Sequence, residues 1–387
     1  MEIPGVSISL ANGQIGGTTP SNDRVVGLIG TGSGAGIALL TPLVCYSFED
    51  ALLQGFTEKN EPNLYRHIAE FYDIAPSGSK LYVMAVANTE LLESLLDKNN
   101  ANGAAKLLDF AAGEIKVLAV DRTPAAEYVP AEPAFIDSDA IAALPKAKAL
   151  VQEYFNKIMP VRVLIGARVH DVASNTVFKP NMQDNNAVGM VVGGTKDDGS
   201  ASVGLVLGKV AAGPPHRNIG RVKDGSLPVV SAYVGNKKVD EFAGIGNLIQ
   251  NGFITFQTYP HKAGYFISDD PMATNGLDDY RSLANCRVID KAAIIAYQTY
   301  LEEVNDDVDL DSSGSIAPIN LKHLEAVISN NIMLGMGDSI SGEPRTFIDP
   351  AQNLAAGSKL KVKLRLIPKG YLKQIDVELG FMNPANN

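Results

Sequence analysis

The sequence predicts an α/β fold: a mainly parallel or mixed sheet flanked by helices, then a C-terminal α+β part, with extended terminal arms. Three observations carry this. From about residue 21 to 275, apolar runs of strand length alternate with helical patterns, an order that builds a parallel sheet covered on both faces. After Pro271 the texture changes to two long helical patterns. Near the end, Lys359 to Leu366 alternates basic and apolar residues without a break, which is a strand with one buried face. The division that follows is an N-terminal arm over 1–20, an α/β domain over 21–275 and an α+β domain over 276–387.

In the arm, Ile3 precedes Val6, Ile8 and Leu10, which alternate with Ser7 and Ser9. The glycine-rich stretch Asn12 to Gly17 then uncouples this strand from the domain that starts near Asp23. Val25 to Ile29 is the first strand of the domain. Pro62 stands at a helix-opening position ahead of Leu64, Ile68, Phe71 and Tyr72, which share a face. Strands are predicted at Leu81 to Ala87, Ile115 to Val120 and Val161 to Ile165, and helices at Thr89 to Leu96, Ala104 to Ala112 and Ala147 to Ile158. Pro124, Pro130 and Pro133 mark a surface loop. Ser200 to Ala212 reads as a helix of small residues, capped by Ser and stopped by Gly213-Pro214-Pro215, suited to close packing against backbone. Val229 to Val234, Ile254 to Thr258 and Tyr265 to Ser268 read as further strands around a helical pattern at Glu241 to Gln250.

In the C-terminal part, Val288, Ala292 and Ile295 run beside a second stripe, Ile289, Ala293, Ala296, Tyr297, Tyr300 and Val304, giving a long, broadly apolar helix. Leu321 to Ile332 forms another, with Pro318 and Asn320 at its start. Leu360, Val362, Leu364 and Leu366 then face one way and Lys359, Lys361, Lys363 and Arg365 the other. Past Pro368-Lys369-Gly370, a last strand from Leu372 alternates Ile375, Val377, Leu379 and Phe381 with Gln374, Asp376 and Glu378. Folded back as a hairpin, Lys363 opposes Asp376, Lys361 opposes Glu378, Leu364 opposes Ile375 and Val362 opposes Val377, consistent in charge and hydrophobicity. The same acidic strand also suits the edge of another chain. A lone arm strand cannot satisfy its backbone groups, so residues 1 to about 17 are expected on a neighbour's sheet edge, the Leu360 to Phe381 region being the strongest candidate.

Composition narrows the function. With 387 residues, 45% apolar and 20% charged, the chain is globular and can bury about three quarters of its unfolded surface. Cys45 and Cys286 are far apart, which offers no disulfide framework or Cys-x-x-Cys motif and points to a reducing compartment. The start has no basic-then-apolar leader, and no run of about 18 apolar residues occurs, so neither secretion by a signal peptide nor membrane insertion is expected. A balance of 33 basic against 43 acidic residues, net −10, argues against nucleic acid as the main partner.

The chemical motifs each break at a residue their chemistry needs. Gly27 to Gly36, GLIGTGSGAG, invites a dinucleotide reading. Its third glycine falls on Ala35 or Ile37, and Leu39-Leu40-Thr41-Pro42 stops any helix the phosphate would require. No Gly-Lys is followed by Ser or Thr. Asp307, Asp309 and Asp311 mimic a calcium loop, but Ser312 stands where glycine is needed and Pro318 where a bidentate glutamate is needed. His67, His170, His216, His261 and His323 show no ligand spacing, and no nucleophile motif occurs. No catalytic residue, cofactor or metal is therefore assigned; the competing reading is a cytosolic α/β enzyme using Gly27 to Gly36 for a nucleotide. The basic residues of PPHRNIGRV, His216, Arg217 and Arg221, read as a polar contact surface.

The order of features resembles the contractile tail sheath proteins of phages and phage-tail-like particles. The resemblance is carried by RVVGLIGTGSGAG followed by PLVCYSFEDALLQGF (Pro42 to Phe56), by LGKVAAGPPHRNIGRVKDGSLP (Leu207 to Pro228), by Gly252 to Leu301, and by the final helix, KLKVKLRL strand and last strand. It implies a non-enzymatic subunit that forms six-fold rings stacked helically around a tail tube protein and meets baseplate or terminator proteins. It also implies a place in a virion or phage-tail-like particle assembled in the bacterial cytoplasm. Such subunits are joined by terminal strands added to neighbouring sheets; the matching residues here are Ile3, Val6, Ile8 and Leu10 in the arm, and Leu360, Val362, Leu364, Leu372, Ile375, Val377 and Leu379 at the C-terminal end.

Overall fold

The computed structural model describes residues 23–130, 135–174, 176–312, 314–353 and 359–381. The first domain alternates strands and helices: β1 (Val26–Thr31), β2 (Pro42–Cys45), α1 (Phe48–Leu53), α2 (Pro62–Tyr72), β3 (Leu81–Val86), α3 (Leu92–Leu95), α4 (Ala104–Phe110), β4 (Val117–Val120), α5 (Ser138–Asn156), β5 (Arg162–Gly166), β6 (Val188–Val191) and α6 (Val203–Ala212). The six strands form one sheet in the order β2-β3-β1-β4-β5-β6. All neighbours are parallel except β2, which runs antiparallel to β3 at the edge. Strands β1, β3, β4, β5 and β6 are buried along their whole length, as a sheet covered on both faces requires. The mixed, mainly parallel sheet expected from the sequence is present.

Small residues let helices approach closely. A Cβ placed on Gly204 of α6 would lie 2.2 Å from the His67 carbonyl oxygen of α2, so only glycine permits that packing. Helix α5 begins nine residues earlier than Ala147 and runs through Pro145. Burial of Ala140, Ala143 and Leu144 outweighs the local break that proline signals. Between Thr89 and Leu96 only the single turn α3 is helical.

Beyond α6 come β7 (Tyr233–Val234), β8 (Lys237–Lys238), α7 (Ile245–Gln250), and the hairpin of β9 (Phe256–Tyr259) and β10 (Lys262–Ile267). The strand expected from Val229 shrinks to two residues, since Val230 is almost wholly exposed and has no face to bury. The C-terminal part holds α8 (Leu283–Leu301), α9 (Pro318–Met336), β11 (Arg345–Ile348) and β12 (Val362–Arg365). Its two small cores, around Ile328 and Ile332 and around Leu321 and Ile348, lie between the helices and the inner face of β12. Helix α8 is tied to the sheet domain by Arg162, whose Nε and Nη2 bond Asp290 at 2.7 and 2.5 Å. Arg287 adds Nη2 bonds to the carbonyls of Asp23, Val210 and Gly213.

One pairing departs from the sequence reading. β12 pairs antiparallel with β11, setting Lys363 opposite Phe347 and Val362 opposite Ile348, while residues 372–381 belong to no strand. The hairpin of Lys363 with Asp376 is therefore not formed within the chain. The RTFI run at 345–348 also packs on α9, bonding Ile348 N to Glu325 Oε1 at 2.8 Å.

Candidate assembly site

The parallel strands β3, β1, β4, β5 and β6 have the order 2-1-3-4-5, whose ligand crevice lies beyond the carboxyl ends of the first and third strands, here β1 and β4. The glycine loop that follows β1 is in that place, but a side chain of the protein fills it. Glu61, fully buried ahead of Pro62, accepts hydrogen bonds from Ser33 N at 2.6 Å, Ser33 Oγ at 3.2 Å and Gly36 N at 3.3 Å. The amides that would cradle a phosphate are occupied by an internal carboxylate. Gly36 allows the loop to press on the segment after α1: a Cβ there would lie 2.3 Å from Gly55 O.

Beside the loop is a second buried network. His67 Nε2 lies 3.1 Å from Asp121 Oδ2, and Nδ1 lies 3.5 Å from Glu70 Oε2. Burial and the charge of Arg66 push the imidazole toward neutrality, but its bonds to Asp121 and Glu70 outweigh them and hold its pKa above the usual value. Glu70 also accepts from Thr195 and Ser202, both at 2.7 Å, and Arg66 donates to Ser200 at 2.6 Å. The Asp121 contact ties α2 to the end of β4, the Thr195, Ser202 and Ser200 bonds tie it to the loop before α6, and the His67–Glu70 contact lies within α2. The physical effect of this buried network is to fix the helix layer over the sheet.

The acidic stretch makes a tight turn, in which Asp311 N donates to Ser315 O at 2.8 Å and Leu310 bridges to Ile316. Among the described residues no group of three or more His, Cys, Asp or Glu side chains is placed to hold a metal, and no helix is long and apolar enough to cross a membrane.

Exposed chemistry concentrates instead at the C-terminal end. Leu372, Ile375, Val377, Leu379 and Phe381 are 70% exposed or more. Leu360, Val362 and Leu364 are half-buried against the two small cores, while Lys359, Lys361, Lys363 and Arg365 face solvent. The structure thus separates the predicted C-terminal residues into a packed face on β12 and an exposed segment that belongs to no strand. Ile3, Val6, Ile8 and Leu10 lie outside the described residues.

Sheet edges limit where a further strand can add. On β2, Gln54 Nε2 donates to Val44 O at 2.8 Å and Asp50 accepts from Tyr46 N at 3.0 Å, so α1 closes that edge. On β6, Ile254 and Ala273 donate to Met190 O and Val188 O. β12, by contrast, has β11 on one side and no strand on the other among the described residues. Sequence reasoning did not find Glu61 or β11; the capping position before Pro62 and the short alternation of Arg345 to Ile348 were the available signals.

Set beside known proteins, residues 3–271 match the family profile described as DUF2586, N-terminal domain, and residues 279–386 match DUF2586, C-terminal domain. No curated protein matches the chain. Among solved structures, the anti-feeding prophage helical sheath in the contracted state superposes with a TM-score of 0.62 at 13% identity, over 99% of each chain. The sheath complex of the extracellular contractile injection system PVC, also contracted, gives 0.62 at 12% identity over 100% of this chain and 99% of that one. A sheath tail protein from Desulfitobacterium hafniense gives 0.50 at 12% identity, over 94% of this chain and 100% of that one. At such identities the likeness is one of fold, and it covers nearly the whole length of each.

Proposed function

We propose that this chain, which belongs to the DUF2586 family and has the fold of contractile-sheath proteins, is the structural subunit of a contractile tail sheath. Subunits polymerise in six-fold rings stacked around a tail tube protein, anchored on baseplate or terminator proteins, and contract to drive the tube through a cell envelope. The observation that carries this reading is the exposed segment at 374–381, which follows β12 in the chain, together with an edge of β12 that has no strand partner among the described residues. An alternating strand with its apolar side chains in water is unfavourable alone and becomes favourable on another copy's sheet, where main-chain bonds give affinity and alternate side chains give register.

In this reading the 21–275 domain is the rigid body of the subunit and 276–387 the part that connects copies. Leu372, Ile375, Val377 and Leu379 are donated to the edge of a neighbour's β12, extending the sheet whose packed face carries Leu360, Val362 and Leu364. The arm strand with Ile3, Val6, Ile8 and Leu10 adds a second connection. The subunit works without catalysis, cofactor or nucleotide, the energy of contraction residing in the assembled array. Its place is a virion or phage-tail-like particle assembled in the bacterial cytoplasm.

Electron microscopy of the concentrated protein tests this, with rings or tubes expected. A monodisperse small oligomer whose melting temperature rises with nucleotide would reject it in favour of an enzyme.

A further inference from the structure

The exposed C-terminal segment begins at a sharp boundary. Up to Lys373 the chain is tied down: Ile367 O accepts from Ser341 N at 2.7 Å and Pro368 bridges to Ile340. Tyr371 Oη donates to His216 O at 2.5 Å, and Lys373 Nζ meets Asp269 Oδ2 at 2.5 Å. From Gln374 onward every residue to Phe381 is exposed, and among the described residues the one hydrogen bond formed there, Gln374 to Asp376, is internal to the segment.

The two sides of this attachment differ in stiffness. Asn218 Nδ2 donates to Asp269 Oδ1 and Asp270 Oδ1, both at 2.7 Å. The Asp270 carboxyl group in turn caps α8 by accepting from Ala284 N at 2.9 Å, and His216 Nδ1 lies 3.0 Å from Ser339 Oγ. The receiving side therefore joins the loops at 214–222 and 268–270 to α8 and to the turn after α9. The chain side holds on by one half-exposed ion pair and one tyrosine hydrogen bond, which are among the weakest ties a protein makes. Between Pro368 and Lys373 no strand or helix has to melt for these ties to open.

We propose that Tyr371 and Lys373 form a releasable latch that sets the free length of the C-terminal segment. The inference rests on the sheath reading above. Closed, the latch leaves residues 374–381 free, about 26 Å of extended chain; open, it adds Lys369 to Lys373, about 16 Å more. Neighbouring subunits can then move apart by that distance and stay joined by the same strand. The motifs PPHRNIGRV and SDDP supply its receiving side through His216, Asn218 and Asp269, which act as positioning residues.

Two measurements test it. A spin label on Gln374→Cys reports the latch in the soluble subunit; Cys45 and Cys286 are buried and leave the label site-specific. Combining Tyr371→Phe with Lys373→Ala should shorten the label's correlation time at least threefold with no change in melting temperature. Unchanged mobility would overturn the latch.

In the assembled particle, Asp269→Cys with Lys373→Cys is bridged by a short thiol-cleavable bis-methanethiosulfonate. Bridged sheaths should assemble but fail to contract, and reductant should restore contraction. Bridged sheaths that contract as fully as cleaved ones would overturn the proposal. If the unaltered protein forms no sheath, the sheath reading falls, and the label still decides whether Tyr371 and Lys373 hold the segment.

Discussion

Replacing Val377 by serine separates subunit folding from subunit joining. Val377 is 71% exposed in the subunit, so the substitution removes almost no buried surface and should change unfolding free energy by less than about 0.5 kcal/mol. On a neighbour's β12 the same side chain would be covered. Full burial of a valine-sized side chain is worth roughly 1.5–3 kcal/mol, and the exposed 71% of it corresponds to about 1–2 kcal/mol per junction. That predicts a critical concentration for polymerisation about 5- to 30-fold higher, read by pelleting across a concentration series. Gln374→Ser, on the opposite face of the segment, is the control and should change little. A Val377→Ser protein that polymerises like the parent, or melts several degrees lower, would show that the segment is not the joining strand.

Deleting residues 1–17 should abolish tube formation and leave the soluble subunit's melting temperature nearly unchanged; a truncated protein that polymerises, or unfolds, contradicts the arm's role. Glu61→Ala should cost about 2–4 kcal/mol in chemical denaturation, because the Ser33 and Gly36 amides lose a charged acceptor, and nucleoside triphosphates should not shift the parent's melting curve. A cost under about 0.5 kcal/mol would mean that the loop does not need its internal anion. Burial, reinforced by Asp269, raises Asp270 to about 8, against about 3.9 for an unfolded chain. The folded state then holds a proton that the unfolded state has lost, and stability falls as pH rises between about 4 and 8. Asp270→Asn should flatten that slope and be more stable than the parent at pH 8; an unchanged slope from pH-dependent urea titrations would place the titration elsewhere.

What the sequence determined by itself is local. Runs such as Leu81 to Val86 and Val117 to Val120 are apolar throughout because both faces of the sheet are covered, and that pattern is written in consecutive residues. The alternation from Lys359 to Leu366 likewise specified one packed and one solvated face, as found.

Only the tertiary structure decided which groups meet. The partner of β12 is a four-residue strand too short to stand out in sequence, and it is also bonded to α9. The internal carboxylate that fills the crevice comes from 25 to 28 residues away, and the latch joins positions more than a hundred residues apart. Periodicity encodes which face of an element is apolar, because that depends on backbone geometry alone. Pairing between distant elements depends on which edges and polar groups remain unsatisfied once the chain has packed, and that is a property of the folded whole.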